Sequence, residues 1–229
     1  MANLRIISSS SKPFRDRREA GKLLGQELSY LGRENVVVLG IPRGGVVVAR
    51  ELATVLQADL DIVLSRKLPT PGHEELAMGS VSEDGKVFLN ETVVRELDID
   101  ASFIEQAKKQ QLSEIARRIQ LFRPVRPKVN LRGRTVVITD DGIATGSTMQ
   151  AALWMARHEH PKKLIAAVPV AAKESLLRLA HDADEMFCLR APPFFGAVGQ
   201  FYLEFYPVED SEVLAILREE GKRISTRTV

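Results

Sequence analysis

Hydrophobic positions along the chain switch between two periods. From 14 to 31, Ala20, Leu23, Leu24, Leu28 and Leu31 recur at helical spacing beneath a charged face, which predicts an amphipathic helix. Val36-Val37-Val38-Leu39 is instead a continuous apolar run. It is too short for a helix and rich in β-branched side chains, so it predicts a strand buried on both faces, as in parallel sheets. Pro42-Arg43-Gly44-Gly45 breaks the chain; residues 46–56 then read as an almost wholly apolar helix and 60–64 as the next strand. Strand, turn, helix and strand within about 30 residues make a βαβ unit, with a right-handed crossover expected.

The alternation returns later as strand 135–139, helix 147–158, strand 164–170, helix 173–180 and strand 186–189. Repeated β and α segments argue for an α/β fold: an open, mainly parallel sheet flanked by helices. Between the two units the pattern differs. Residues 79–89 predict a hairpin around Glu83-Asp84-Gly85, a strong turn signal. Residues 101–122 predict a long charged helix with apolar Phe103, Ile104, Ala107, Leu112, Ile115, Ile119 and Phe122, stopped by Pro124 and Pro127. The stretch 192–207 is rich in Phe, Gly and Pro and reads as irregular, before a last helix near 210–220. With no repeat, low-complexity tract or linker, residues 1–229 read as one domain. Its core is expected at about 33–82 and 133–190, with a hairpin and a helical insertion at about 91–123.

Composition narrows the class. A chain of 229 residues, 45% hydrophobic, is long enough to bury roughly 70% of the surface its unfolded form exposes. Cys188 is the sole cysteine, so neither an intramolecular disulfide nor a thiolate-rich zinc site can form, which suits a reducing cytosol. A formal net charge of +2 is too small to make nucleic-acid or membrane affinity the default. The N-terminal stretch has early Arg and Ser but no apolar core for a signal peptide, and Asp16 and Glu19 speak against a transit peptide. The most apolar later stretch, 164–172, is nine residues and contains Pro169, well short of the ~20 a membrane helix needs. A soluble cytoplasmic protein is expected.

One segment carries chemistry. The strand Val136-Val137-Ile138-Thr139 runs into Asp140-Asp141-Gly142-Ile143-Ala144-Thr145-Gly146-Ser147-Thr148. In open α/β sheets, ligands sit beyond the carboxyl ends of the strands. Gly142 and Gly146 permit close backbone approach, and Thr145, Ser147 and Thr148 offer hydroxyl donors. The helix that follows adds about half a positive charge at its start, which suits a phosphate. The carboxylates beside it are acceptors fit for a vicinal diol. Phosphate next to diol is the outline of a ribose 5-phosphate. The plainer alternative is a glycine-rich turn in which Ser147 or Thr148 merely caps a helix. No G-x-x-x-x-G-K-[ST] and no G-x-G-x-x-G occurs, which argues against a P-loop NTPase and a dinucleotide site.

This stretch resembles the phosphoribosyl pyrophosphate (PRPP) motif of the type I phosphoribosyltransferases over thirteen consecutive positions: apolar strand, two acids, two variable residues, a small residue, Thr-Gly, then small and hydroxyl residues. Over most of its length the chain is also similar to a little-characterised bacterial group of phosphoribosyltransferases. The features shared with that group are the loop Arg66-Lys67-Leu68-Pro69-Thr70-Pro71-Gly72, Glu75-Leu76-Ala77-Met78-Gly79, and Phe195-Gly196-Ala197-Val198-Gly199-Gln200-Phe201-Tyr202. The resemblance implies that Asp140 and Asp141 hold the ribose hydroxyls and that Ala144, Thr145, Gly146, Ser147 and Thr148 form the 5′-phosphate loop, with Gly142 also among the PRPP-binding residues. Gly40-Ile41-Pro42-Arg43-Gly44-Gly45 looks like the pyrophosphate loop, with Arg43 as a bidentate donor and Gly44 and Gly45 allowing backbone approach. Residues 66–75 are similar in position to the mobile loop that closes over PRPP, with Arg66 and Lys67 reaching the leaving pyrophosphate.

Further expectations follow from that resemblance. Mg²⁺ would be held through PRPP and waters, so Asp140 and Asp141 bind it only indirectly. Glu75, or Glu74, would supply a mobile acid or base, so the set implied in catalysis is Arg66, Lys67, Glu75, Asp140 and Asp141. The residue before Thr-Gly is Ala144, as in adenine-type enzymes, where 6-oxopurine enzymes carry an Asp; hypoxanthine or guanine transfer by that arrangement is therefore not expected. A small hood over the acceptor is expected from about 191–207 or from the N-terminal segment, or both. Phe195 and Tyr202 are its leading stacking candidates, with Pro193, Phe194 and Phe201 beside them. About half of such aromatics simply pack a small core. A homodimer is expected, with PRPP and an unidentified acceptor as ligands and no nucleic acid.

Other features weigh less. His158 and His160 do not share a helix face and read as cations at a helix C-terminus. Cys188 reads as an inert core thiol. From 115 to 139 there are seven Arg or Lys and no Asp or Glu; this run suits steering of anionic PRPP or a solvated helix face. It also allows an alternative, a PRPP-sensing regulatory protein that binds RNA or DNA through 117–134. A third reading is an enzyme acting on a finished nucleotide or sugar phosphate.

Overall fold

A computed structural model describes residues 3–32 and 34–227, with the side chains of 73–76 and 224–227 outside that description. In chain order the elements are β1 (Asn3–Ser8), α1 (Arg17–Glu27), β2 (Val36–Gly40), α2 (Gly44–Leu56), β3 (Asp59–Ile62), β4 (Ser65–Thr70), β5 (His73–Ser82) and β6 (Val87–Leu89). They continue as α3 (Glu91–Glu96), α4 (Ala101–Phe122), β7 (Thr135–Thr139), α5 (Ser147–Arg157), β8 (Lys163–Val170), α6 (Lys173–Leu179), β9 (Glu185–Arg190) and α7 (Asp210–Arg227). Short 3-10 turns follow α1 at Ser29–Leu31 and lie within the stretch 192–207 at Val198–Phe201.

The expected parallel sheet is present as six strands in the order β1-β9-β8-β7-β2-β3, each neighbouring pair parallel. Alternation decides which side chain faces which layer. In β2, Val36 and Val38 join the layer of α1, α2 and α7, while Val37 and Leu39 face the layer of α5 and α6. Both faces of β2 and β7 are buried, which explains why they read as unbroken apolar runs. Each fully buried Val or Leu there contributes about 1.5–3 kcal/mol. Truncating Leu52 of α2, fully enclosed in the first layer, would cost about 2–5 kcal/mol.

The order places the site. From β2 the chain crosses through α2 to β3 on one side; from β7 it crosses through α5 to β8 on the other. The strand order therefore reverses between β2 and β7, and crevices in doubly wound sheets open at that point. Gly40 and Thr139 are register partners at the ends of these strands.

A second, three-stranded antiparallel sheet β4-β5-β6 packs with α3 and α4 and against α5. Its small core contains Leu68, Met78, Val81, Ala107 and Ile115. The hairpin expected at 79–89 is there, as β5 and β6 joined across Glu83-Asp84-Gly85. The segment 66–75, expected as an open loop, is instead built from β4 and the start of β5. The reason is alternation: Leu68 is buried between the more exposed Lys67 and Pro69, and β4 pairs antiparallel with β5 through a register shift at Pro69. Two elements went unread in the sequence. Edge strand β1 is only half-buried along one face, and α3 is a short helix capped by the Asn90 side chain, which accepts from the Val93 N–H at 3.3 Å. The last helix runs to Arg227, beyond the expected 220. No helix among the described residues is long and apolar enough to cross a membrane.

Candidate active site

Two loops leave β2 and β7 side by side. The Ile41 N–H donates to the Thr139 carbonyl at 3.0 Å, so the Pro42-Arg43-Gly44-Gly45 turn lies over the acidic pair. The Pro42–Arg43 peptide is cis. A Cβ on Gly45 would lie 2.8 Å from Asp140 Cα and 2.9 Å from the Thr139 carbonyl oxygen, and one on Gly44 would collide with the Asp141 carboxylate. Glycine is required at both positions by close approach, and α2 begins there.

The acidic pair has unequal surroundings. Asp141 accepts from Arg17 Nε at 2.8 Å. That guanidinium also donates to the Tyr206 carbonyl at 2.9 Å and lies 3.9 Å over the Phe205 ring. Asp140 accepts from the Asp141 N–H at 2.8 Å. Burial, and then the neighbouring Asp141 charge, push its carboxyl well above the usual carboxylate range. A cation or hydroxyl donors at the pair would relieve that repulsion.

The loop after the acids opens α5 without a side-chain cap: Gly146 sits at the N-cap with φ 82°, and no hydroxyl caps the helix. The plain capping role weighed for Ser147 and Thr148 is thus not adopted. Lys67 Nζ donates to Ser147 Oγ at 3.3 Å, and Thr145 Oγ1 lies 3.5 Å from Ser147 Oγ. From α6, Ser175 Oγ donates to the Ala144 carbonyl at 2.5 Å and Arg178 donates to the Thr145 carbonyl. With those carbonyls tied to α6, the first N–H groups of α5, which lack intrahelical partners, are left without a side-chain cap. A cleft of about 650 Å³ opens here beside Ala144, Thr145, Ser147 and Gln150. A second cavity of about 290 Å³ lies between Pro42, Arg66, Lys67, Arg118 and Thr148.

The structure thus brings together Arg43, Gly44, Gly45, Asp140, Asp141, Gly142 and 144–148, with Arg66 and Lys67 on β4 beside them. Arg43 pairs with Glu209 at 3.5 Å on the rim, and Arg66 with Glu114 at 3.5 Å. The Glu74 and Glu75 side chains lie outside the described residues. Among the aromatics, Phe194 is 88% exposed, Phe195 is half-buried, and Phe201 and Tyr202 are buried. Tyr202 lies between Phe14 (5.6 Å) and Phe205 (5.1 Å), and its hydroxyl donates to the Asp141 carbonyl at 2.6 Å. The tail and the N-terminal segment are one unit: the Phe14 N–H donates to the Phe201 carbonyl and the Leu203 N–H to the Phe14 carbonyl, both at 2.8 Å. Val198 of that unit packs on Gly142.

Sequence reasoning missed Arg17, Phe205, Ser175 and Arg178, whose partners lie far along the chain. His158 stacks on Phe88 at 3.9 Å and its Nδ1 lies 2.7 Å from the Trp154 carbonyl; no group of three or more His, Cys, Asp or Glu placed to hold a metal occurs among the described residues. Cys188 is buried, which pushes its thiol up to about 12.

The phosphoribosyl transferase domain family matches residues 16–205. Proteins from two Mycobacterium tuberculosis strains, H37Rv and CDC 1551, whose names assign them provisionally as phosphoribosyl transferases, are 47% identical over 206 residues. The match takes in 90% of this chain and 46% of theirs, so the chain spans about half the length of these curated relatives. The crystal structure of a Thermus thermophilus protein, 46% identical, superposes with a TM-score of 0.86 over 90% of this chain and 98% of that one.

Proposed function

The chain belongs to the phosphoribosyl transferase domain family, and on that premise we propose that it transfers the 5-phosphoribosyl group of PRPP, with Mg²⁺, to a nitrogen acceptor and releases pyrophosphate. The acceptor class is a nucleobase or related nitrogen heterocycle. One observation carries this reading: the Gly44-Gly45 backbone packs directly on Asp140 and Asp141 at the point where the strand order reverses, with an uncapped helix start beside it. A diphosphate loop, a diol acceptor and a phosphate loop then meet within one sugar's reach.

The 5′-phosphate binds at 144–148, where Ser147 and Thr145 offer hydroxyls and α5 its first N–H groups. Asp140 and Asp141 accept the ribose 2′- and 3′-hydroxyls. Arg17 and Tyr202 orient Asp141 through its carboxylate and its backbone carbonyl respectively. Arg43, Arg66 and Lys67 face the diphosphate. The C1–O bond to the diphosphate breaks and its electron pair leaves with pyrophosphate. The acceptor nitrogen's lone pair forms the C1–N bond, and the proton of that nitrogen passes to a base or to water. Because charge on the leaving group grows as the bond breaks, cations fixed there favour the transition state over the bound donor.

Two adjacent, half-buried carboxyls beside a diol and diphosphate fit Mg²⁺ held through substrate oxygens and water, with Asp140 and Asp141 in contact through the diol. When bound, the ion would neutralise charge on the diphosphate. The paired N-terminal and tail segments, with Phe195 at their edge, form the acceptor hood, and Ala144 argues against a 6-oxopurine acceptor. The homodimer implied by family resemblance is part of the same proposal. The nucleic-acid alternative finds little support: of its basic run, Arg117, Arg123, Lys128 and Arg134 are engaged in ion pairs within the chain. Calorimetric titration of PRPP with Mg²⁺, followed by a nucleobase screen for pyrophosphate release, tests the reading. Absence of PRPP binding would overturn it.

A further inference from the structure

Within the basic run of 115–134, Arg118 and the exposed Arg132 have no side-chain partner among the described residues, and of the two only Arg118 is half-buried. Arg117 pairs with Asp210 at 3.5 Å, Arg123 with Asp61 at 2.7 Å, Lys128 with Glu159 at 2.8 Å and Arg134 with Asp59 at 2.8 Å. Arg126 donates to the Leu60 carbonyl at 2.9 Å. Arg118 is half-buried on α4 and has neither an ion pair nor a hydrogen bond among the described residues. It lines the cavity of about 290 Å³ together with Pro42 of the glycine loop, Arg66 and Lys67 of β4, Gln111 of α4 and Thr148 of α5.

Among the described residues no carboxylate lines the cavity, and Asp210 and Glu114 act on the Arg118 guanidinium less than burial and the neighbouring cations do. Arg66 Nε is buried with no hydrogen-bond partner, and its only ion pair among the described residues, to Glu114 at 3.5 Å, lies at the surface, where such pairs are worth little. Burial, then the charges of Arg66 and Arg117, lower the Arg118 guanidinium from its ordinary value. Guanidiniums placed together against desolvation and mutual repulsion are unfavourable unless an anion completes them. Their planar donor forks match phosphate oxygens, and the wall formed by Pro42 and Thr148 is continuous with the loops read as holding diphosphate and 5′-phosphate.

We propose that Arg118 is a further pyrophosphate-binding residue, supplied by α4, which joins Arg66 and Lys67 around the leaving group. The inference rests on the phosphoribosyl-transfer reading. It assigns the 101–122 helix a part in leaving-group recognition beyond covering the small sheet.

The test is calorimetric titration of inorganic pyrophosphate with Mg²⁺, and separately of ribose 5-phosphate, into the full chain and its variants. Arg118→Gln should weaken pyrophosphate about tenfold or more, the scale of a lost hydrogen bond to a charged group, and leave ribose 5-phosphate unchanged. Arg118→Lys, which keeps the charge and the fold, should fall between. Arg117→Gln, which removes an exposed cation paired to Asp210, should bind pyrophosphate as the parent does. Pyrophosphate affinity of Arg118→Gln within twofold of the parent, or an equal loss in Arg117→Gln, overturns the assignment while leaving phosphoribosyl transfer standing. A parent chain that binds neither pyrophosphate nor ribose 5-phosphate overturns both.

Discussion

Gly45→Ala is the most direct test of the site, because its consequence follows from interatomic distances alone. The added methyl would lie 2.8 Å from Asp140 Cα, 2.8 Å from Asp140 Oδ1 and 2.9 Å from the Thr139 carbonyl oxygen. Carbon pairs sit comfortably at about 3.5–4.0 Å, so a backbone must yield by at least about 0.7 Å. The Thr139 carbonyl is held by the Ile41 N–H at 3.0 Å, and Thr139 is paired in register with Gly40, so the two loops cannot separate without disturbing that pairing. Overpacking of this kind costs about 1–3 kcal/mol, which for a chain of this size lowers Tm by roughly 2–12 °C. PRPP affinity should fall further than stability, because the displaced groups are the ones read as holding diphosphate and diol. Gly85→Ala is the control. Gly85 has φ 77° with nothing near its Cβ position, so alanine there is strained by about 1–2 kcal/mol in the β5–β6 turn, outside the lining of both cavities. Differential scanning calorimetry and PRPP titration calorimetry on both variants decide the matter. Gly45→Ala with unchanged Tm and unchanged PRPP affinity would refute the close approach, and equal affinity losses in the two variants would reduce the effect to general destabilisation.

The remaining predictions concern charge and stacking. Asp140→Asn and Asp141→Asn should each weaken PRPP about tenfold or more with the fold intact, since hydrogen bonds to charged groups contribute about 1.5–3 kcal/mol; calorimetry against circular dichroism separates the two effects. Asp140 also predicts a pH dependence. Its folded pKa is raised, so the ligand-free protein binds a proton that the unfolded chain has already lost, and stability falls as pH climbs from the ordinary carboxylate value through the raised one. Hydroxyl donors and Mg²⁺ favour the charged form, so PRPP binding should release a proton, detected as a dependence of binding enthalpy on buffer ionisation; Asp140→Asn should lose that contribution, and an unchanged proton release would refute it. Lys67→Ala should lower turnover more than ground-state PRPP affinity, whereas equal losses would mark Lys67 as an ordinary binding residue. Phe195→Ala should spare PRPP and weaken the acceptor by about 1–3 kcal/mol, the scale of a lost stacking partner, and indifference of the acceptor would move the hood elsewhere.

Much of the fold was legible because local and global requirements coincide. Thr135–Thr139 is bounded by Arg134 and Asp140, so an apolar run with charged ends marks a buried strand without ambiguity. The 101–122 helix has Asp100 as its cap, accepting from the Ser102 N–H at 3.1 Å, and Pro124 just beyond its end. The acids and the glycine loop were legible for the same reason, being contiguous in sequence. What was illegible depends on pairing across the chain. Edge strand β1 shows weak alternation because half of it stays exposed. Residues 66–70 looked like a loop because Pro69 and two cations hide Leu68, whose burial against Met78 and Ile115 makes the strand. Arg17 reaches Asp141 across 124 positions, and no local pattern announces such a partner. The aromatics of the tail were visible as a composition, but only packing separates exposed Phe194 from buried Phe201 and Tyr202.

The small sheet and the cleft are linked by period. Along β4, Arg66 and Lys67 line the cavity while Leu68 enters the small core. On α4, Ile115 enters that same core and Arg118 lines the cavity. Residues three apart on a helix are surface neighbours, so burying Ile115 fixes where Arg118 can reach. Leu68, held in the core, turns its neighbour Lys67 to the opposite face of the strand. Three cations that repel one another are thereby held at one place by apolar contacts behind them, and the burial of those contacts, at about 1.5–3 kcal/mol per side chain, opposes the repulsion. A segment that carried these cations as an open loop would have to order them on each binding event, at a cost of about 1–2 kcal/mol per residue fixed. Carried on a strand and a helix that share a core, they would meet the proposed anion already ordered.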